Sequence, residues 1–177
     1  MSKDYKSISA IGQVDPTACW MASLSWWLKA VRDQTKTQND MMVLFKAVWM
    51  PNGTIDVAAL KSGIEKNNAI FKMQTEIVFP GSLQYWLGDG NPQPTIVGFK
   101  TPSGMGHMNV LYDFNPDSKK VKAMEPWSPD LDVTFEDGQI PYINGTAKFT
   151  GAHVERNISY YEVALNGQNG IFVGVPK

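Results

Sequence analysis

The chain has 177 residues, is 43% hydrophobic and 19% charged, and carries a formal net charge of -1. Those values fit one domain, large enough for a real core, and give no electrostatic footprint for nucleic acid or an anionic membrane surface. A single cysteine, Cys19, and two histidines, His107 and His153, exclude a disulfide framework and every multi-cysteine zinc site, so no metal and no cofactor is expected.

Residues 1–12 read as an irregular lead-in. Met1 to Ile8 carries Lys3 and Lys6 but no apolar stretch, so no secretory signal peptide is expected, and the location stays open between export by a dedicated secretion system and the cytoplasm. Asp15-Pro16-Thr17 is a helix-start signal, with Asp or Thr available to cap. From Ala18 to about Val31, Trp20, Leu24, Trp27, Leu28 and Val31 form one stripe of a largely apolar helix. Lys29 and Arg32 suit its C-terminal dipole. Further helices are predicted from about Asn39 to Val48 and from Val57 to Lys66, with a turn at Met50-Pro51-Asn52-Gly53 between them.

After Asn67-Asn68 the period changes. Phe71, Met73, Thr75 and Ile77 alternate with polar residues and predict a strand. A short helix is predicted at Leu83–Leu87. Six further strands are predicted at Thr95–Phe99, His107–Phe114, Lys120–Glu125, Val133–Glu136, Ile158–Leu165 and Ile171–Val175. Asn115-Pro116-Asp117 is a turn that makes a hairpin of two of them. Helices first and strands second argue for an α+β domain with an antiparallel sheet. The expected division is a helical lobe over about residues 13–68 and a β lobe over about 69–177. No apolar run reaches the length of about 18 residues that a membrane span needs.

Cys19 has no partner for an intramolecular disulfide and falls in the first turn of a helix, where backbone N–H groups and the dipole favour a thiolate. Acyl transfer by cysteine needs a thiolate, an adjacent base, a group that orients the base, and donors for the oxyanion. Gln13, six residues upstream, is a candidate side-chain donor, joined by the Cys19 backbone N–H. The base is one of the two histidines. His107 opens an apolar strand behind Gly104-Met105-Gly106 and is the first choice; His153 is the reserve. The hairpin returns Glu125-Pro126-Trp127 to the level of His107, so Glu125 is the candidate orienter. Asn109, Asp113 and Asn115 compete with it, Asp113 lying too far along the strand to reach the ring. The tryptophans Trp26, Trp27, Trp49 and Trp86 and the nine methionines read as core or cleft wall.

These residues resemble the active-site segments of papain-like cysteine proteases. Gln13, a five-residue spacer, Cys19-Trp20 and Ser23 look like the nucleophile segment; Gly106-His107 is similar to the second motif, and Glu125-Pro126-Trp127 to a third that has asparagine or aspartate before the tryptophan. The resemblance implies a papain-like fold, with the long helix packed on a C-terminal antiparallel sheet or half-barrel. It implies Cys19 as nucleophile, His107 as general acid/base, Glu125 as orienter, Gln13 as oxyanion donor, Trp20 in support and Trp127 shielding the histidine's hydrogen bond. The family's usual cysteine upstream of the nucleophile is replaced by Pro16. The chain looks like a compact bacterial member, similar to staphopains and to the papain-like effector proteases of plant pathogens, more than a lysosomal cathepsin.

The expected function is therefore hydrolysis of peptide bonds through a thioester, in a secreted bacterial effector or toxin acting on a protein or peptide. An amidase, deamidase or transglutaminase would share the acyl-enzyme half, and a non-catalytic peptide-binding module would keep only the fold. Only 18 residues precede Cys19, so a removed pro-region, a cognate inhibitor or immunity protein, or maturation in the target compartment is expected to restrain activity. No nucleic-acid partner and no membrane span is expected.

Overall fold

A six-stranded sheet runs through the molecule with apolar side chains on both faces, and each face needs a cover. The computed structural model describes residues 3–48, 53–88, 93–127, 142–143, 146–147, 149–165 and 167–177. Helices come first: α1 (Cys19–Arg32), α2 (Gln38–Leu44), α3 (Val57–Lys66) and α4 (Asn68–Phe71). Then follow β1 (Met73–Val78), α5 (Leu83–Leu87), β2 (Thr95–Lys100), β3 (Gly106–Asn115), β4 (Lys120–Glu125), β5 (Tyr142–Ile143), β6 (Thr146–Ala147), β7 (Ala152–Asn157) and β8 (Ile171–Pro176). The main sheet has the order β1-β8-β2-β3-β4-β7, every neighbour antiparallel. The chain is thus α+β, as the run of elements predicts.

One face carries Ile96, Met108, Val110, Tyr112, Met124 and Phe172, which pack against α1. Ten of the helix's residues are buried, including Trp26 and Trp27, so it is a core element rather than a surface one. Polar side chains pin it to its surroundings. Ser23 Oγ donates to the carbonyl of Met108 at 3.0 Å, Trp27 Nε1 to that of Pro94 at 2.7 Å, and Arg32 Nε to that of Phe71 at 3.1 Å. The other face carries Val97, Phe99, Leu111, Val121, Ala123 and Val173, covered by α5 and a 3-10 turn at Ile158–Tyr161. A bulge at Asp113, whose φ is 56°, shifts the β3–β4 register and turns Phe114 onto this second face.

Several boundaries differ from the sequence reading. Helix α2 stops at Leu44, because Phe45 leaves the helix to pack on Phe71 and Trp20. Phe71 ends α4 rather than opening a strand; Lys72, in the left-handed region at φ 44°, breaks the helix and starts β1 two residues later than the alternation suggests. Ile158–Leu165 is not a strand. Its first part is the 3-10 turn, started by the Asn157 side chain accepting from Ser159 N–H, and the edge strand is β7, just before it. Val133–Glu136, Trp49 and Asn52 lie outside the described residues. Among the described residues no helix is long and apolar enough to cross a membrane.

Candidate active site

Helix α1 begins at Cys19 itself. The N-cap is Ala18, with no side-chain cap, which corrects the expectation that Asp15 or Thr17 caps the helix. Asp15 instead closes a tight turn: its Oδ1 accepts from Thr17 N–H and Thr17 Oγ1, both at 2.7 Å, and its carbonyl accepts from Ala18 N–H. The first-turn N–H groups have no partner inside the helix, and that of Cys19 is one of them. The Cys19 thiol is free and half-buried.

His107 sits one residue into β3, buried to 7% exposure and opposite Phe99 of β2. Its Nε2 lies 2.5 Å from Glu125 Oε1, and the Cys19 side chain is near enough to help hold the ring's proton. Glu125 takes Nε2, which leaves Nδ1 for the sulfur. Ser23, one turn along α1 from Cys19, bonds the backbone of the residue beside His107, so helix and strand are locked together where sulfur and ring meet. Burial alone would favour a neutral ring. The Glu125 carboxylate and the Cys19 side chain outweigh it, and His107 holds its proton well above the ordinary histidine range.

Glu125, fully buried, uses both carboxylate oxygens twice. Oε1 accepts from His107 and from Trp127 N–H at 3.0 Å; Oε2 accepts from Asn109 Nδ2 and Arg156 Nη1, each at 3.0 Å. Burial would push its carboxyl up, but His107, the Trp127 N–H and Arg156 hold it below the usual glutamate range. Asn109, a competitor for Glu125's place in the sequence, braces it instead. Asp113 pairs with Lys122 on the exposed edge, and Asn115 caps its own turn by accepting from Asp117 and Ser118 N–H. The Trp127 ring stands edge-on to the imidazole, centroids 6.5 Å apart, and Phe149 packs on its other side at 4.7 Å.

Gln13 is 2% exposed. One hydrogen of its side-chain amide goes to the Asp15 carbonyl at 2.7 Å, and its backbone N–H goes to the Pro126 carbonyl at 3.1 Å. The second bond ties the glutamine segment to the Glu125-Pro126-Trp127 segment. Gly12 beside it is squeezed against the Phe149–Gly151 segment: a Cβ on Gly12 would lie 1.8 Å from the Phe149 carbonyl oxygen, and one on Gly151, at φ 68°, would lie 2.7 Å from Gly12 N. Gly12→Ala should therefore lift the lead-in off this segment and cost about 1–3 kcal/mol of stability; thermal melting of the variant against the parent checks it. Trp20 Nε1 donates to the Gly53 carbonyl at 3.0 Å and its ring packs edge-on to Phe45, a supporting rather than a reacting position.

His153 is not the reserve base. Its Nδ1 is 2.6 Å from the Tyr112 hydroxyl and its Nε2 2.8 Å from the Ile8 carbonyl. Both ring nitrogens are occupied in clamping the lead-in to β3, under the edge of Trp26. Sequence reading missed Arg156. Only the register Glu125↔Ala152 and Val121↔Arg156 puts it on the Glu125 face, and β7 had no strand prediction to supply that register. Among the described residues no cluster of three His, Cys, Asp or Glu side chains could hold a metal ion. No protein-family model and no curated protein matches the chain.

Proposed function

We propose that this protein is a papain-like cysteine hydrolase that cleaves peptide bonds. What carries the reading is one row of contacts, Cys19 to His107 to Glu125, assembled from a helix N-terminus and two adjacent strands. The long helix packed across an antiparallel sheet, with Gln13 held beside Pro126, supports the papain-like arrangement.

In the proposed reaction His107 Nδ1 already holds the thiol proton, and the Cys19 thiolate attacks the peptide carbonyl carbon. The negative charge on the carbonyl oxygen is met by the Cys19 backbone N–H and the second amide hydrogen of Gln13. Collapse of the tetrahedral intermediate breaks the C–N bond, and the imidazolium gives its proton to the leaving amine. Water then attacks the thioester, His107 takes a proton from it and keeps it beside the released thiolate, and the acid product leaves. Glu125 keeps the Nε2–H on the ring and stabilises the imidazolium, and Trp127 excludes water from that bond.

Alkylation tests the reading on the protein itself. Iodoacetamide should label Cys19 several-fold faster than free cysteine at pH 6, and His107→Ala should remove the advantage. Labelling no faster than free cysteine would mean that the thiolate–imidazolium pair does not form. Cleavage-site profiling on a whole proteome would then separate peptide hydrolysis from an amidase, deamidase or transglutaminase outcome of the same thioester.

A further inference from the structure

Cys19, His107 and Glu125 account for the bond-breaking chemistry, and Arg156 stands outside it. It projects from β7 into the interior at 9% exposure, donates from Nη1 to Glu125 Oε2 at 3.0 Å, and lies over the Tyr160 ring at 4.5 Å. A buried guanidinium is expensive to desolvate, and an apolar residue there would be cheaper. What it does for the site follows from charge. A neutral amide would orient the imidazole and leave its positive charge whole. A carboxylate cancels that charge, so the sulfur would face a neutral imidazolium–carboxylate pair.

We propose that Arg156 is a positioning residue of this site, acting through Glu125 to restore one net positive charge opposite the Cys19 sulfur. This role presupposes the cysteine-hydrolase reading. The groups around the pair are Cys19 of α1, His107 and Asn109 of β3, the Trp127 N–H, and Tyr160 and Tyr161 of the turn after β7. Burial holds the Tyr161 phenol neutral, so imidazolium, carboxylate and guanidinium are the three charges that decide the balance. Loss of the guanidinium makes the row neutral and disfavours the thiolate. Loss of guanidinium and carboxylate together returns it to a single positive charge.

The pH profile of Cys19 alkylation by iodoacetamide reads this directly, since the chain has one thiol. Near-ultraviolet circular dichroism checks the fold of each variant. In R156Q the acid-side midpoint should rise by about one pH unit. R156K keeps the charge and should stay near the parent even where its melting temperature falls. E125Q/R156M removes both buried charges, which proteins tolerate far better than removal of one, and should also return to the parent midpoint, with E125Q alone lying below it. A folded R156Q with the parent midpoint overturns the role. If R156Q does not fold, coincident midpoints for E125Q and E125Q/R156M overturn it. A parent protein labelled no faster than free cysteine at pH 6 removes the hydrolase reading and this role together, whereas a fast parent with an unmoved R156Q removes this role alone.

Discussion

Cys19→Ala should abolish hydrolysis of an unfolded protein substrate such as casein, a loss of at least about a thousandfold, with the fold intact. Cys19 is the first residue of α1 and only half-buried, so the substitution removes one sulfur at a helix end and inserts the best helix former. Stability should change by less than about 1 kcal/mol. The sulfur is also the only nucleophilic thiol in the chain, so no neighbour can substitute for it. Peptide release from labelled casein, measured beside a melting curve, checks both halves. Retained cleavage by a folded variant would end the mechanism.

Glu125→Ala should have the larger effect on stability. The carboxylate collects hydrogen bonds from His107, Asn109, Trp127 and Arg156 in a site closed to solvent. Its removal strands the Arg156 charge, a cost of about 3–5 kcal/mol, or a fall in melting temperature of roughly 6–20 °C for a chain of this size. The pH dependence gives a second signature. Because the Glu125 carboxyl is held below its ordinary value, its contribution is present above the unfolded-state value and is lost as pH falls through the folded one. The parent should therefore lose stability in acid along a slope that the variant lacks, measurable by melting between about pH 5 and 2. Turnover should fall far less than in His107→Ala, because the imidazole remains. Equal losses would make the carboxylate as necessary as the base.

What was legible in the sequence follows the range of the interactions. Helix α3 and the hairpin β3–β4 rest on local signals: the Asp56 side chain capping Ala59 N–H, and the Asx turn at Asn115. Those signals lie within a few residues and can be read by eye. The meeting of His107 and Glu125 was legible because one hairpin register joins them. Phe71 misled because alternation ignores a core contact with Phe45 across the helical layer. His153 could not be placed from sequence: its two partners, Tyr112 and Ile8, lie 41 and 145 residues away. Arg156 failed for the same reason, compounded by the reading of Ile158–Leu165 as the strand that β7 turns out to be.

The clamp on the lead-in has a consequence for how the protein is made. The segment that carries Gln13 is held by Pro126, by the Phe149–Gly151 backbone and, further back, by His153. A nascent chain therefore displays its thiol before His107 and Glu125 have been made, and carries Gln13 before Pro126 and the Phe149–Gly151 segment can hold it. Contacts of such long separation form late. Assembly order is thus written into the topology: under the proposed mechanism, the reactive centre is complete only after the segment through Arg156 has been made.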